Sequence, residues 1–260
     1  MKTPLYQVDA FTGTLFRGNP AAVCPLERWL DDATLQSIAA ENNLAETAFF
    51  VPRDGDYDLR WFTPVKEVDL CGHATLASAH VLFERLRYPR PAVTFHTKSG
   101  ALVVARDAGR LVMDFPSRPP APCPPPAGLE QALGARPRET LKARDLLAVF
   151  DDEDAVRALR PRMDEIAALD AFAVITTAPG RKADFVSRFF APRAGVPEDP
   201  VTGSSHCTLV PYWAARLGRK TLTAHQVSPR GGEIRCELRG DRVSLAGEAV
   251  LYLEGTIELP

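Results

Sequence analysis

Four side chains in this sequence have the type and setting to handle a proton: Glu46, His73, Asp199 and Ser204. Glu46 stands in NNLAETAFF, between an Asn-Asn helix stop and an apolar strand. A carboxylate drawn into apolar surroundings loses hydration, which raises its pKa toward the range useful to a general base. A surface glutamate at a strand end would read the same way. His73 follows Gly72, and Ser204 follows Gly203, each at the start of a helical pattern. The positive end of a helix disfavours an imidazolium, so His73 is expected to be neutral and able to donate or accept a hydrogen bond. Ser204 suits both substrate contact and N-capping. Asp199 precedes Pro200, a pairing that also initiates turns. Asp69, the matching acidic residue earlier in the chain, is read as structural.

The two helix starts carry chemistry of their own. A helix N-terminus leaves backbone N–H groups unpaired beneath a positive dipole. Gly72 and Gly203 let a ligand approach that backbone closely. Two such ends could hold an anion such as a carboxylate between them. The same glycines could equally make tight turns.

An internal repeat positions these residues. RWFTPVKEVDLCGHATLASAHVLFERL, from Arg60 to Leu86, parallels RFFAPRAGVPEDPVTGSSHCTLVPYWAARL, from Arg188 to Leu217. Each opens on Arg, an aromatic, then Phe-x-Pro, and each places an Asp before a Gly (Asp69 and Gly72; Asp199 and Gly203). Leu86 and Leu217 lie the same distance, 14 residues, beyond those glycines. A Thr-x-His follows in both (Thr94 and His96; Thr223 and His225), then a glycine turn and a hairpin-like pair of runs. The ordered set points to a duplicated α+β unit.

LYQVDAF, ETAFFVP, DLRWFTP and VTFHTK read as strands by alternation and β-propensity. DDATLQSIAAENN reads as a helix, capped by Asp31 or Asp32 and stopped at Asn42–Asn43. The segments after Gly72 and Gly203 are apolar nearly all round, the pattern of helices buried on most faces, with a kink expected at Pro211. PSRPPAPCPPPA, from Pro116 to Ala127, carries seven prolines and reads as a stiff connector between two lobes.

Composition narrows the class. The 260 residues are 45% hydrophobic and 25% charged, enough for a core without disulfides or metal. Lys and Arg number 31 against 33 Asp and Glu, so no basic surplus exists to neutralise phosphates, and nucleic acid is excluded as an expected partner. No apolar run reaches a membrane span and MKTPLYQVDAF has no signal-peptide core, so no membrane role and a cytoplasmic setting are expected. The five cysteines show no CxxC pair or zinc spacing, so no metal is expected and the thiols are read as free. Neither GxxxxGK[ST] nor GxGxxG occurs, which gives nucleotide use no support.

VDAFTGTLFRGNPAAVC, NNLAETAFF, DLCGHATLASAHVLFE and EDPVTGSS, in that order, resemble the signature stretches of the PhzF phenazine-biosynthesis-like family across essentially the whole chain. The resemblance implies an α+β fold similar to that of diaminopimelate epimerase. That fold has two pseudo-symmetric lobes, each a barrel-like, mostly antiparallel sheet around a central helix, with the site in the cleft between them. It implies Glu46 as the catalytic acid/base, His73, Asp199 and Ser204 as its catalytic companions, backbone groups at Gly72 and Gly203 on the substrate carboxylate, and Asn19, in RGNPAAV, lining the same cleft. It also implies no cofactor, a homodimer, and isomerisation of a small cyclic carboxylate such as trans-2,3-dihydro-3-hydroxyanthranilate.

Residues 1–116, completed by a last strand at about 250–260, are expected to form the N-terminal lobe, and 117–249 the C-terminal lobe. Three other functions were weighed. A cofactor-independent racemase or epimerase of similar fold uses two thiols. Cys71, before Gly72, sits where one belongs, but the matching residue before Gly203 is Thr202. A binding module without chemistry is the second, against which the retention of all four proton-handling side chains argues. A serine hydrolase on TGSSH is the third and lacks a G-x-S-x-G elbow.

Overall fold

The structure, a computed structural model, describes residues 2–259. The protein is a mixed, sheet-rich α+β fold whose chain divides into two compact units, Met1–Asp114 with Ala246–Pro260, and Phe115–Leu245.

The first unit runs β1 (Lys2–Ala10), β2 (Asn19–Pro25), α1 (Asp32–Asn42), β3 (Glu46–Arg53), β4 (Asp56–Phe62), β5 (Glu67–Val68), α2 (Gly72–His80), β6 (Ala92–Thr97), β7 (Gly100–Asp107) and β8 (Arg110–Pro116). β1 pairs antiparallel with β2, β2 parallel with β3, β3 antiparallel with β4, β4 antiparallel with β5 and parallel with β6, and β6 antiparallel with β7.

The expected caps of α1 are present. Asp31 accepts from the Thr34 N–H at 2.9 Å, and Asn43 closes the helix in the left-handed region at φ 49°. Its apolar face puts Leu35 and Ile38 into a core with Phe49 and Phe62, and burial of each such side chain contributes about 1.5–3 kcal/mol. The β7–β8 hairpin turns at Ala108 and Gly109, both at positive φ, as the twist of a tight hairpin demands.

Helix α2 is buried from His73 to Ala79 and lies against β1, β2, β3 and β7. Its polar members satisfy themselves inside the helix. Thr75 and Ser78 donate their hydroxyls to the carbonyls of Cys71 and Ala74, at 2.6 and 2.8 Å. The helix read to Leu86 is α-helical only to His80; Val81–Arg85 widens into a π-turn.

The second unit runs β9 (Ala121–Pro122), α3 (Leu129–Leu133), β10 (Glu139–Lys142), β11 (Leu146–Val149), α4 (Glu153–Ala158), α5 (Met163–Ala168), β12 (Val174–Pro179), β13 (Phe185–Ala191), β14 (Val196–Asp199), α6 (Gly203–Leu217), β15 (Thr221–Gln226), β16 (Gly232–Arg239) and β17 (Arg242–Gly247). The pairing series recurs: β10 antiparallel with β11, β11 parallel with β12, β12 antiparallel with β13, β13 antiparallel with β14 and parallel with β15, and β15 antiparallel with β16. Thr94-x-His96 and Thr223-x-His225 thus fall on strands at the same place in the two series, β6 and β15. The chain ends with β18 (Ala249–Glu258), antiparallel to β1.

The proline run, read as a stiff connector, makes specific contacts along its length. It is tied to the second unit: Arg118 donates its backbone N–H to the Cys207 carbonyl, Cys123 to that of Thr140, and Ala121–Pro122 bridges β10. Proline on an edge of this kind leaves no ladder donor missing. Helix α6 runs through Pro211 without interruption. Among the described residues, no helix is long and apolar enough to cross a membrane.

Candidate active site

In the first unit the fold gathers Asn19, Glu46 and His73. β2 opens at Asn19, β3 opens at Glu46, and the two strands run parallel with Ala21 opposite Glu46. Helix α2 brings His73 beneath them in its first turn. Gly18, at φ 64°, makes the entry into β2 possible; a Cβ there would lie 2.2 Å from the Ala10 carbonyl oxygen.

The distances form a chain. Asn19 Nδ2 lies 3.1 Å from His73 Nδ1, and His73 Nε2 lies 3.2 Å from Glu46 Oε2. Asn19 is fully buried, the His73 side chain is 5% exposed and that of Glu46 is 14% exposed. Burial alone pushes the His73 imidazole down to about 3, so the ring is neutral at physiological pH. The carboxylate therefore meets a neutral neighbour.

Cys71, the thiol before Gly72, belongs to this cluster. It precedes α2, is buried, and places Sγ 3.5 Å from His73 Nδ1. Glu46, Cys71 and His73 each bring a ligand atom within 4.8 Å of the others. Glu46 nevertheless faces Nε2 and Cys71 faces Nδ1, so an ion in line with either ring nitrogen would meet only one of them.

In the second unit Asp199 ends β14, and its carboxylate accepts the Thr202 hydroxyl at 2.5 Å. The loop is strapped by Gln226, which accepts the Thr202 N–H and donates to the Asp199 carbonyl, at 2.8 and 2.7 Å. Ser204 does not cap α6. The helix begins at Gly203, the N-cap position is Thr202, and Ser204 lies inside the first turn. Thr202 is a good capping residue, yet its hydroxyl is turned to Asp199 and makes no cap bond; α2, behind Cys71, likewise has no side-chain cap. Gly72 and Gly203 are the first helical residues, not left-handed turns.

The Ser204 Oγ accepts from Arg144 at 3.4 Å, and Arg144 is held by a two-point pair with the buried Asp145 at 2.9 and 2.6 Å. Thr202, Gln226, Arg144 and Asp145 were not found from sequence. Gln226 had the best signal, standing one residue past the repeated Thr223-x-His225.

The sheet-rich α+β fold gathers Glu46, His73 and Asn19 at the foot of a helix, side chains of the types that can exchange protons and hydrogen bonds. The model of the phenazine biosynthesis-like protein family matches residues 8–255, and the chain belongs to that family. It is 54% identical over 259 residues to an uncharacterized isomerase of Pseudomonas aeruginosa, with all of both chains covered. It is 45% identical over 265 residues to an uncharacterized isomerase of Halalkalibacterium halodurans, again with full coverage of both. The crystal structure of a PhzF family phenazine biosynthesis protein from Enterococcus faecalis superposes with a TM-score of 0.98 at 47% identity, covering all of both chains.

Proposed function

We propose that this isomerase moves a proton within a small, cyclic, carboxylate-bearing substrate and needs no cofactor to do so. Its two units are read as pseudo-symmetric lobes, each a barrel-like sheet about a central helix, α2 in one and α6 in the other. Glu46 takes the proton. A C–H bond of the substrate breaks and its electron pair forms a new double bond to the adjacent carbon, while the pair of the former double bond takes the proton back from the same carboxyl group at its far carbon. Nothing is oxidised or reduced. The observation that carries this reading is the pairing of Glu46 with a neutral, desolvated His73 at 3.2 Å. A cationic neighbour would hold Glu46 ionised and weaken it as a base; a neutral one leaves it its basicity.

Asp199 and Ser204 are read as groups that steer hydrogen bonds and protonation, and the N–H groups at Gly72 and at Gly203, each within its own unit, as donors suited to a carboxylate. The uncapped starts of α2 and α6 support that last assignment. The substrate class is taken from trans-2,3-dihydro-3-hydroxyanthranilate and related cyclic amino acids.

A second reading, racemisation by thiols, draws on Cys71 at 3.5 Å from His73. The position that would supply the second thiol holds Thr202, whose hydroxyl is engaged by Asp199. Incubation with candidate substrates in deuterium oxide separates the readings. Deuterium at a ring carbon with a shifted double bond is the expected result. Exchange at Cα with loss of chirality means the thiol reading is right, and failure of every cyclic candidate to exchange counts against the proposed substrate class.

A further inference from the structure

We infer that Asn19 is a positioning residue that fixes the tautomer of His73, and thereby keeps the ring hydrogen on Nε2, the nitrogen turned toward the Glu46 carboxylate. The functional half of this inference rests on Glu46 as the proton carrier; the tautomer itself does not.

A neutral imidazole carries one N–H, and the partner of either nitrogen decides where it sits. The Nδ1 atom of His73 faces one obligate donor, the Asn19 amide nitrogen, and a thiol that can donate or accept. The Asn19 amide lies at 3.1 Å and the Cys71 thiol at 3.5 Å. Nδ1 must therefore accept, which places the hydrogen on Nε2, the nitrogen 3.2 Å from the Glu46 carboxylate. The opposite tautomer would set a bare Nε2 lone pair against an anion, around a ring that is only 5% exposed.

The amide is well anchored for this purpose. Asn19 is fully buried and is the first residue of β2, paired with Ala10 of β1 and set by the left-handed turn at Gly18.

The consequence concerns proton retention. A single carboxyl group that removes and returns a proton must not lose it between the two steps. A bare Nε2 3.2 Å away would be the nearest acceptor for that proton, a weak one in a ring that burial holds near 3. With the hydrogen held on Nε2, the ring has no lone pair to offer on that side, and burial keeps it from taking a second proton. Glu46 then keeps the proton until the second carbon receives it.

The test is nitrogen NMR on the full-length protein labelled with 15N-histidine, with His73 identified among the five histidines by its loss in His73→Gln. The expected spectrum has Nε2 protonated and Nδ1 bare, unchanged from about pH 5 to 8, the range in which a free histidine titrates. A ring protonated at Nδ1, or one titrating in that range, overturns the inference. Asn19→Asp puts an acceptor of the same size where the donor was, and Nδ1 is expected to gain a proton; Asn19→Leu is expected to populate both tautomers. A folded Asn19→Asp protein with the wild-type pattern means that Asn19 does not set the tautomer. Should neither variant fold, the wild-type spectrum still decides. Full turnover in Glu46→Gln with the expected tautomer would remove the proton-carrier assignment alone.

Discussion

The backbone N–H of Arg118 donates to the carbonyl of Cys207 at 2.8 Å, and Cys207 is the residue four before Pro211. Proline has no N–H, so an α-helix through Pro211 leaves that carbonyl without its helical donor. The proline-rich segment supplies one from outside. This lets α6 stay continuous where a break would otherwise be expected.

A double-mutant cycle tests that relationship. Arg118→Pro removes the donor and leaves a buried carbonyl unsatisfied, at a cost of about 1–3 kcal/mol. Pro211→Ala returns an N–H to the helix, so Arg118→Pro is expected to cost less in that background. Urea unfolding of the four proteins gives the coupling. Additive costs mean that the two groups do not share the carbonyl.

Glu46→Gln preserves shape but cannot accept a substrate proton. Solvent-deuterium incorporation is expected to vanish, with thermal unfolding close to that of the parent. Full exchange in the folded variant removes Glu46 from the mechanism.

Cys71→Ala separates the two proton-transfer readings. Under a carboxylate mechanism exchange survives, with at most a modest loss from the altered neighbour of His73. Under a thiol mechanism exchange disappears.

Gly18→Ala strains a backbone held at φ 64° and drives a methyl into the Ala10 carbonyl. The conformational part costs about 1 kcal/mol or more, and the clash adds to it. Because Asn19 is the next residue, the lock on His73 is expected to loosen as well, read by the same 15N spectrum. A melting temperature equal to the parent's would contradict the strain.

Acid sensitivity follows from two buried histidines. Burial pushes His73 down to about 3 and His206 down to about 4, whereas in the unfolded chain each returns to about 6.5. Between those values the unfolded state binds a proton that the folded state refuses. Stability is therefore fully present above about pH 6.5 and is lost as pH falls toward 4, by up to about 1.4 kcal/mol per pH unit for each group. His206→Gln is expected to flatten the curve relative to wild type in urea titrations between pH 4.5 and 7. Parallel curves would mean that His206 is charged in the native state.

Much of the first unit was legible because its signals are local. Asp31 and Asn43 are capping residues by type, and Glu46 sits where a helix stop meets a strand. What stayed hidden depends on distant chain segments. Ser204 looked like a cap, but Thr202 takes that position and spends its hydroxyl on Asp199. Arg144 reaches Ser204 across 60 residues of sequence, and no local pattern announces that approach. The π-turn at Val81–Arg85 carries no Pro or Gly to mark it.

The pairing of β18 with β1 sets an order of events during synthesis. Phe115–Leu245 is one uninterrupted stretch, so every residue of the second unit is synthesised before β18. The first unit begins earlier but lacks a strand along β1 until translation reaches Ala249–Glu258. The half of the molecule that holds Glu46 and His73 is thus started first and closed last, and the nascent chain carries an open β1 edge for most of its time on the ribosome.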